Sequence, residues 1–471
     1  MANLIAPDVR RQPVSVTRKM SASLPGLRKL AQDKGLKIHH LGAGYPHPEV
    51  SDPREFLEAQ SAYLEQMTAN EGLNDPLALP EHTREEFAYG DTLGPMRTRQ
   101  IFSRVYGSDW QIQMKPELLV PTVGATGGIS LICSIFEHSG TPLAYITDAP
   151  TYAGFMARAG LCQHAAIYSV EMDDEGPRPE VFKNQIRAAR EAGRFVPFYY
   201  TIPDGHNPAG FSFSAHRREE ILNIAQDEGI LIVEDAPYLY INFAEQADRV
   251  MPFLSLDPAQ TVHLFTGSKI GFPGPRVAFL YSEAELEIAD GATATLAELA
   301  LVQSSADILF HNPAAFRGFE ALLHERAGAD EPFTERDSLW PVAEGKLEVY
   351  RENRAIMLHG FDEALGAHKD LFHWTVPAAG FFSVFTFLGG GVRTDDDFIQ
   401  AMVADYGLVV IPMYDFYPPD ARERNPDAGF DQLRLSFCFS ESTGEQRRKD
   451  LSEAVAAFCN AVKQIAGISG N

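Results

Sequence analysis

The chain has 471 residues, 45 % of them hydrophobic and 22 % charged, the balance of an ordinary soluble globular protein that is too long for one typical core. Forty Lys and Arg against 64 Asp and Glu give a net charge of −24, which argues against nucleic acid or an anionic membrane as partner, because phosphate surfaces select basic proteins. Cys133, Cys162, Cys438 and Cys459 show no C-x-x-C spacing, so no disulfide framework or metal site is expected and a reducing cytoplasm fits best; the N-terminal residues lack the apolar stretch of a secretory signal, and no run of 18 apolar residues is present to span a membrane.

In chain order, residues 1 to about 40 are basic and mixed, read as an arm with a short helix at 24–34. The segment His39-His40-Leu41-Gly42-Ala43-Gly44-Tyr45-Pro46 is a short strand entering a glycine turn, whose glycines allow a backbone to approach a ligand closely. Residues 51–82 suggest a helix and a polar loop. Tyr89-Gly90-Asp91 then leads through Leu93-Gly94-Pro95 into a helix ending near Tyr106. A strand at 118–123 is followed by Gly124-Ala125-Thr126-Gly127-Gly128 and an apolar helix at 129–136, the pattern of an anion site built from backbone amides and a helix dipole.

Further strands are predicted at 143–147, 165–170, 195–202, 230–234, 262–266 and 277–281, separated by helices. The helix at 214–228 is sharply bounded, with Ser214 placed to cap it and Gly229 to end it. Apolar strands alternating with helices predict a mostly parallel sheet covered on both faces, with ligands bound beyond the carboxyl ends of the strands. Polar residues gather at those ends: Asp148, Tyr152, Asn207, Asp235, Tyr238 and Lys269. Residues 283–340 read as helical, interrupted by an acidic inserted loop at 328–337. A long helix at 342–365 leads to a last α/β unit with strands at 371–376, 381–387, near Val409 and at 433–437, and helices at 394–406 and 445–465.

One chemistry accounts for these polar residues together, a pyridoxal 5'-phosphate (PLP) site. An aldehyde cofactor needs a lysine for a Schiff base, and Lys269, leaving a buried strand in Phe265-Thr266-Gly267-Ser268-Lys269, is placed for its amine to be desolvated and its pKa lowered. The pyridine nitrogen needs a carboxylate to stay protonated, and Asp235 ends the strand ILIVED. Tyr238 and Asn207 offer donors to the ring oxygen, and Tyr152 a stacking face. Gly124, Ala125, Thr126, Thr266, Ser268 and Arg276 supply amides, hydroxyls and a guanidinium to a phosphate, and Arg434 in LRLSF is a bidentate partner for an α-carboxylate.

The ordered segments YGDTLGPMR, VGATGG, DAPTYAGF, YTIPDGHNPAG, LIVEDAPYLY, TGSKIGFPGPR and RLSF resemble the fold-type I PLP enzymes, and within them the class I/II aminotransferases, over roughly residues 20–465. YTIPDGHNPAG…IVEDAPYLYINF looks most like the aminoadipate/kynurenine and aromatic branch, whereas SKIGFPGPR and IPMYDFYPPDARERNPDAGFDQLRLSF look more like the valine–pyruvate branch, so no subfamily is assigned. The resemblance implies an aspartate aminotransferase-like α/β fold: an N-terminal arm and part of a small domain at 1–75, a three-layer large domain with a mostly parallel seven-stranded sheet at 76–340, and a smaller C-terminal α/β domain at 341–471.

By the same resemblance, Lys269, Asp235 and Tyr238 are catalytic. Lys269 carries the proton between substrate and cofactor, Gly44 and Arg434 take the substrate carboxylate, and Tyr89 reaches the phosphate of the other subunit of a homodimer. Tyr45 and Asn207 complete the substrate side. Transfer of an amino group from an L-amino acid to a 2-oxo acid is expected. The aromatic surroundings of Tyr45 and Phe416-Tyr417 favour an aromatic or bulky apolar side chain. The alternative is another PLP reaction in a biosynthetic pathway, namely elimination or replacement at the β or γ carbon, carbon–carbon bond formation, or oxidation. A regulator built on this fold would carry a winged helix, and too few residues precede HLGAGYP in this chain for one. Thr266 and Gly267 depart from the usual G-S-x-S-K pattern, keeping the hydroxyl. His206 is read as a supporting or loop residue beside Asn207, and Trp374 and Phe381-Phe382 as core.

Overall fold

The computed structural model describes residues 16–70, 88–138, 140–288, 291–328, 330–438 and 442–468. The expected arm before residue 16 and the polar loop at 71–82 lie outside them, as does residue 329 of the acidic insert. The central sheet has the strand order Leu119–Val123, Val277–Tyr281, Thr261–Thr266, Leu231–Asp235, Phe198–Thr201, Leu143–Ala149, Ala165–Asp173. A two-residue strand, Gly176–Pro177, extends it at one edge in antiparallel pairing. Val277–Tyr281 runs against both its neighbours, and the remaining pairs are parallel. The interior strands are buried along their whole length, as sheets covered on both faces require.

Side-chain alternation along these strands sorts chemistry from support. Asp235 ends its strand beside Glu234, yet Glu234 is turned the other way, its Oε2 2.7 Å from His263 Nδ1 and its two oxygens accepting from the amides of Phe253 and Leu254. The helix Ala215–Glu228 starts where Ser214 Oγ accepts from the Arg217 amide at 3.1 Å and stops at Gly229 in the left-handed region, as its sequence predicts. The helix Gly124–Glu137 starts earlier than expected: the glycine-rich turn is its first turn, so the donors left free at its N-terminus belong to Ala125, Thr126 and their neighbours.

A second, antiparallel sheet is ordered Phe372–Trp374, Phe382–Phe387, Gln432–Ser436, Ile411–Pro412. His39–His40 pairs in parallel with Leu408–Val409, which brings the Gly42 to Tyr45 turn beside the second sheet. The helix Val16–Asp33 starts well before the expected residue 24, runs through Pro25 and packs on Asp396–Tyr406, and Lys19 pairs with Asp396 at 2.9 Å. The helix Pro53–Asn70 packs instead on Pro313–Leu322, where Phe56 lies against Gly318. Between residues 283 and 340, where helix was expected apart from the insert at 328–337, the chain also forms a hairpin, Glu285–Glu287 with Thr293–Thr295. The acidic insert ends in another, Thr334–Glu335 pairing with His324–Glu325, with Glu335 held by Arg104 at 2.7 Å.

Candidate active site

Beyond the carboxyl ends of the parallel strands lies a cleft lined by Ala125, Thr126, Tyr152, Asn207, Asp235, Tyr238, Thr266, Ser268, Lys269 and Arg276, together with Ile202 and Pro237. It opens into a second cavity lined by Gly44, Tyr45, Asn207, Lys269 and Arg434. Lys269 Nζ donates to the Gly44 carbonyl at 2.7 Å. Burial lowers its pKa to about 8, and Arg434 and Arg276 push the same way against Cys438 and Asp235. A lysine near that value holds a useful fraction of free amine at neutral pH.

Asp235 is 2 % exposed. Its Oδ2 accepts from the Tyr200 hydroxyl at 2.7 Å, while Oδ1 is buried without a partner. Burial raises its pKa to about 6, opposed first by the Tyr200 bond and then by Lys269. A buried carboxylate oxygen without a partner, on a residue that lines the cleft, needs a proton donor, and a protonated pyridine nitrogen is one. Tyr238 is buried, 5.6 Å below the Lys269 ammonium, and burial holds its phenol well above the usual range.

At the other end, Arg276 adopts a left-handed backbone (φ 60°), rare for a side chain of its size, and its carbonyl accepts from the Gly124 amide at 2.9 Å. The guanidinium thereby crosses Gly124, donates to Val123 O at 3.3 Å and reaches Ser268 Oγ at 3.3 Å. A Cβ on Gly124 would sit 2.5 Å from Arg276 Cζ at a φ of 67°, so any other residue is strained there and displaces the guanidinium. Thr266 Oγ1 donates to Ser268 Oγ at 3.0 Å and accepts from the Ser268 amide at 3.2 Å, so threonine at this place keeps a hydroxyl in the cradle. Helix-terminal amides, two hydroxyls and a guanidinium are the groups that could hold a phosphate here. Tyr152 precedes the helix Ala153–Ala159, and its ring lies over Gly154, where a Cβ would come 2.5 Å from Tyr152 Cζ and displace the ring.

On the substrate side Arg434 is 1 % exposed, and burial lowers its pKa to about 10, still a cation at neutral pH. Nη1 donates to Asn207 Oδ1 at 2.8 Å and Nη2 to the Gly42 carbonyl at 3.3 Å, with Phe382 and Phe416 rings 4.1 and 5.0 Å from Cζ. Because Asn207 spends its oxygen on Arg434, its amide hydrogens remain for a ligand. His206 is tied away from the cleft: Nδ1 accepts from the Ala209 amide, and Nε2 lies 3.1 Å from the buried carboxylate of Asp148.

Tyr89 stands apart from this cleft, 86 % exposed and packed edge-on to Phe310. Phe382, read as core, is also a wall of the cavity under Arg434, whereas Tyr417, read as a pocket neighbour, bonds Gln432 elsewhere. Tyr200 and His40 were not singled out by the sequence. Both face the site through contacts that no local motif announces, although Tyr200 lies within YTIPDGHNPAG.

These features define a fold-type I PLP enzyme, the cradle, the unpaired Asp235 oxygen and the lysine fitting that cofactor end to end. Residues 69–438 match the family Aminotransferase class I and II, and the chain belongs to it. It is a PLP-dependent aminotransferase. It is 27 % identical over 424 residues to (S)-3,5-dihydroxyphenylglycine transaminase of Amycolatopsis orientalis, covering 90 % of this chain and 88 % of that one. It is 26 % identical over 448 residues to 2-aminoadipate transaminase of Thermus thermophilus, covering 95 % of each. Aromatic-amino-acid aminotransferase 1 of Thermococcus litoralis is 24 % identical over 67 % of this chain and 69 % of its own. The fold matches that of Pyrococcus horikoshii kynurenine aminotransferase, with a TM-score of 0.76, 19 % identity and 98 % and 97 % of the two chains covered.

Proposed function

We propose that the amino donor is an L-amino acid with an aromatic or bulky apolar side chain, that the acceptor is a 2-oxo acid, and that the enzyme works as a cytoplasmic homodimer. One observation carries the substrate reading, the neutral wall of the cavity around Arg434. It is formed by Met20, Tyr45, Leu161, Phe382 and Ile411, with His40, whose pKa burial lowers to about 4. The other arginine among its described residues, Arg158, is occupied: it pairs with both oxygens of Glu137 at 2.5 and 2.9 Å and donates to Ser130 and Ser134. Arg434 then takes the α-carboxylate and leaves no free guanidinium there for a second one. The names of the dihydroxyphenylglycine and aromatic-amino-acid relatives support the same reading.

PLP, when bound, acts as the electron sink that lets a proton leave the substrate α-carbon. The residues of this chain do the rest in this reading. Lys269 anchors the cofactor and carries the proton as a free amine. Asp235 Oδ1 accepts from the ring nitrogen and keeps it charged, and Asn207 and Tyr238 donate to the ring oxygen. Tyr152 covers the ring face, and Gly124, Ala125, Thr126, Thr266, Ser268 and Arg276 hold the phosphate. Gly44 and Arg434 fix the substrate carboxylate, with Tyr45 along its side chain. Tyr89, exposed on its own subunit, extends to the phosphate of the partner. The four cysteines are unpaired, in keeping with a reducing compartment. The reading also divides the chain into 1–75, 76–340 and 341–471.

A donor screen with the cofactor's visible spectrum as readout tests this. Phenylalanine, tyrosine and leucine are expected to exceed 2-aminoadipate and aspartate in kcat/KM by at least about tenfold, the scale on which apolar pockets discriminate. Preference for either dicarboxylic donor would overturn it.

A further inference from the structure

The hydroxyl of Tyr200 donates to Asp235, the carboxylate assigned above to the cofactor's ring nitrogen. Tyr200 is fully buried, and its ring is stacked face to face on Phe155, with centroids 4.1 Å apart and planes within 5°. That stack leaves the phenol little freedom to turn. Its hydroxyl meets Asp235 Oδ2 at 2.7 Å, and the other carboxylate oxygen, Oδ1, is buried without a partner on a residue that lines the cleft.

We infer that Tyr200 is a positioning residue for the cofactor: by holding Oδ2 it presents Oδ1 to the pyridine nitrogen and keeps the Asp235 carboxyl ionised for it. This rests on the reading that Asp235 meets that nitrogen. A buried carboxylate with no donor on either oxygen takes up a proton, and a neutral acid no longer favours a protonated ring. One charge-assisted bond from a rigid phenol lowers that tendency while leaving the other oxygen free. The neighbouring Tyr199 supplies the comparison, since on the opposite face of the same strand its hydroxyl bonds Asp148 instead.

The experiment reads two properties of Tyr200→Phe that do not depend on turnover: the dissociation constant of PLP from the reconstituted apoenzyme, and the nitrogen NMR resonance of ring-labelled cofactor in the holoenzyme. The expected result is about tenfold weaker cofactor binding and a resonance moved toward the unprotonated position, the scale of one hydrogen bond to a charged group. Tyr199→Phe is expected to leave both unchanged. Equal effects from the two variants, or none from Tyr200→Phe, overturn the inference. Tyr200 replaced by 3-fluorotyrosine, which keeps shape and hydroxyl but donates more strongly, must also move the resonance, and an unmoved resonance counts against the inference even if the phenylalanine variant folds poorly. Asp235→Asn separates the two claims: if it leaves the resonance in place, the assignment of Asp235 fails. If it moves the resonance while Tyr200→Phe does not, only the role of Tyr200 fails.

Discussion

Arg434 Nη1 donates to Asn207 Oδ1 at 2.8 Å, across 227 positions of chain. One amide side chain thus joins the arginine assigned to the substrate carboxylate to the cleft assigned to the cofactor, and each end constrains the other. Burying such a guanidinium is costly unless its donors are used; Asn207 and the Gly42 carbonyl take one from each terminal nitrogen, two aromatic faces flank the cation, and Nε stays buried without a partner.

Arg434→Lys therefore lowers kcat/KM for the amino donor about 100-fold, or ~3 kcal/mol, because a point charge cannot replace a planar fork. The visible absorbance of the cofactor remains. Steady-state kinetics and a spectrum of the same preparation check both halves of this expectation.

Gly124→Ala forces a Cβ onto the Arg276 guanidinium at a position with φ 67°. The expected outcome is loss of the phosphate anchor, seen as at least about tenfold weaker PLP binding on equilibrium dialysis, with a milder loss for Gly127→Ala. There the nearest heavy atom to the new Cβ is the Val123 Cβ at 3.3 Å.

The cofactor-free protein should show two titrations. The Lys269 pKa is lowered to about 8, so capture of an added aldehyde speeds up as pH rises through that value and the free amine appears. The Asp235 pKa is raised from 3.8 to about 6, so the folded apoprotein is favoured at low pH and loses that advantage as pH rises through 6. The move corresponds to ~3 kcal/mol. A protonated ring nitrogen supplies the missing partner, so the gap in Tm between holo- and apoprotein widens above pH 6. A gap independent of pH between 5 and 8 would count against Asp235 facing the ring.

If Tyr89 serves the partner's site, mixing inactive Lys269→Ala with a weak Tyr89→Ala variant under conditions that exchange subunits restores activity. One complete site per mixed dimer gives about a quarter of the wild-type rate. No recovery, with dimers shown by light scattering, would place Tyr89 in its own subunit's service or in none.

Much of this site is legible in one dimension because strand ends in a parallel sheet converge, so residues spaced across the chain at those ends, Asn207, Asp235 and Lys269, meet without any knowledge of packing. Helix limits set by local chemistry, Ser214 and Gly229, were equally plain. Other features depend on long-range neighbours. The first helix is expected at 24–34, yet it starts at Val16, where its contact with Asp396–Tyr406 supports the added turns. Phe382 looked like core, and is core on one side and cavity wall on the other. The place of Gly154 is set by the Tyr152 ring that lies against it.

The sequence by itself determined the layered α/β architecture and the chemical kit of lysine, carboxylate and arginines, because hydrophobic period and residue type are local properties. The tertiary structure alone decided that Asp235 keeps one oxygen free, that Tyr200 holds the other, and that Arg276 passes over Gly124. Those are matters of which side chains reach one another once distant strands are registered and water is excluded, and no segment of the chain contains that information.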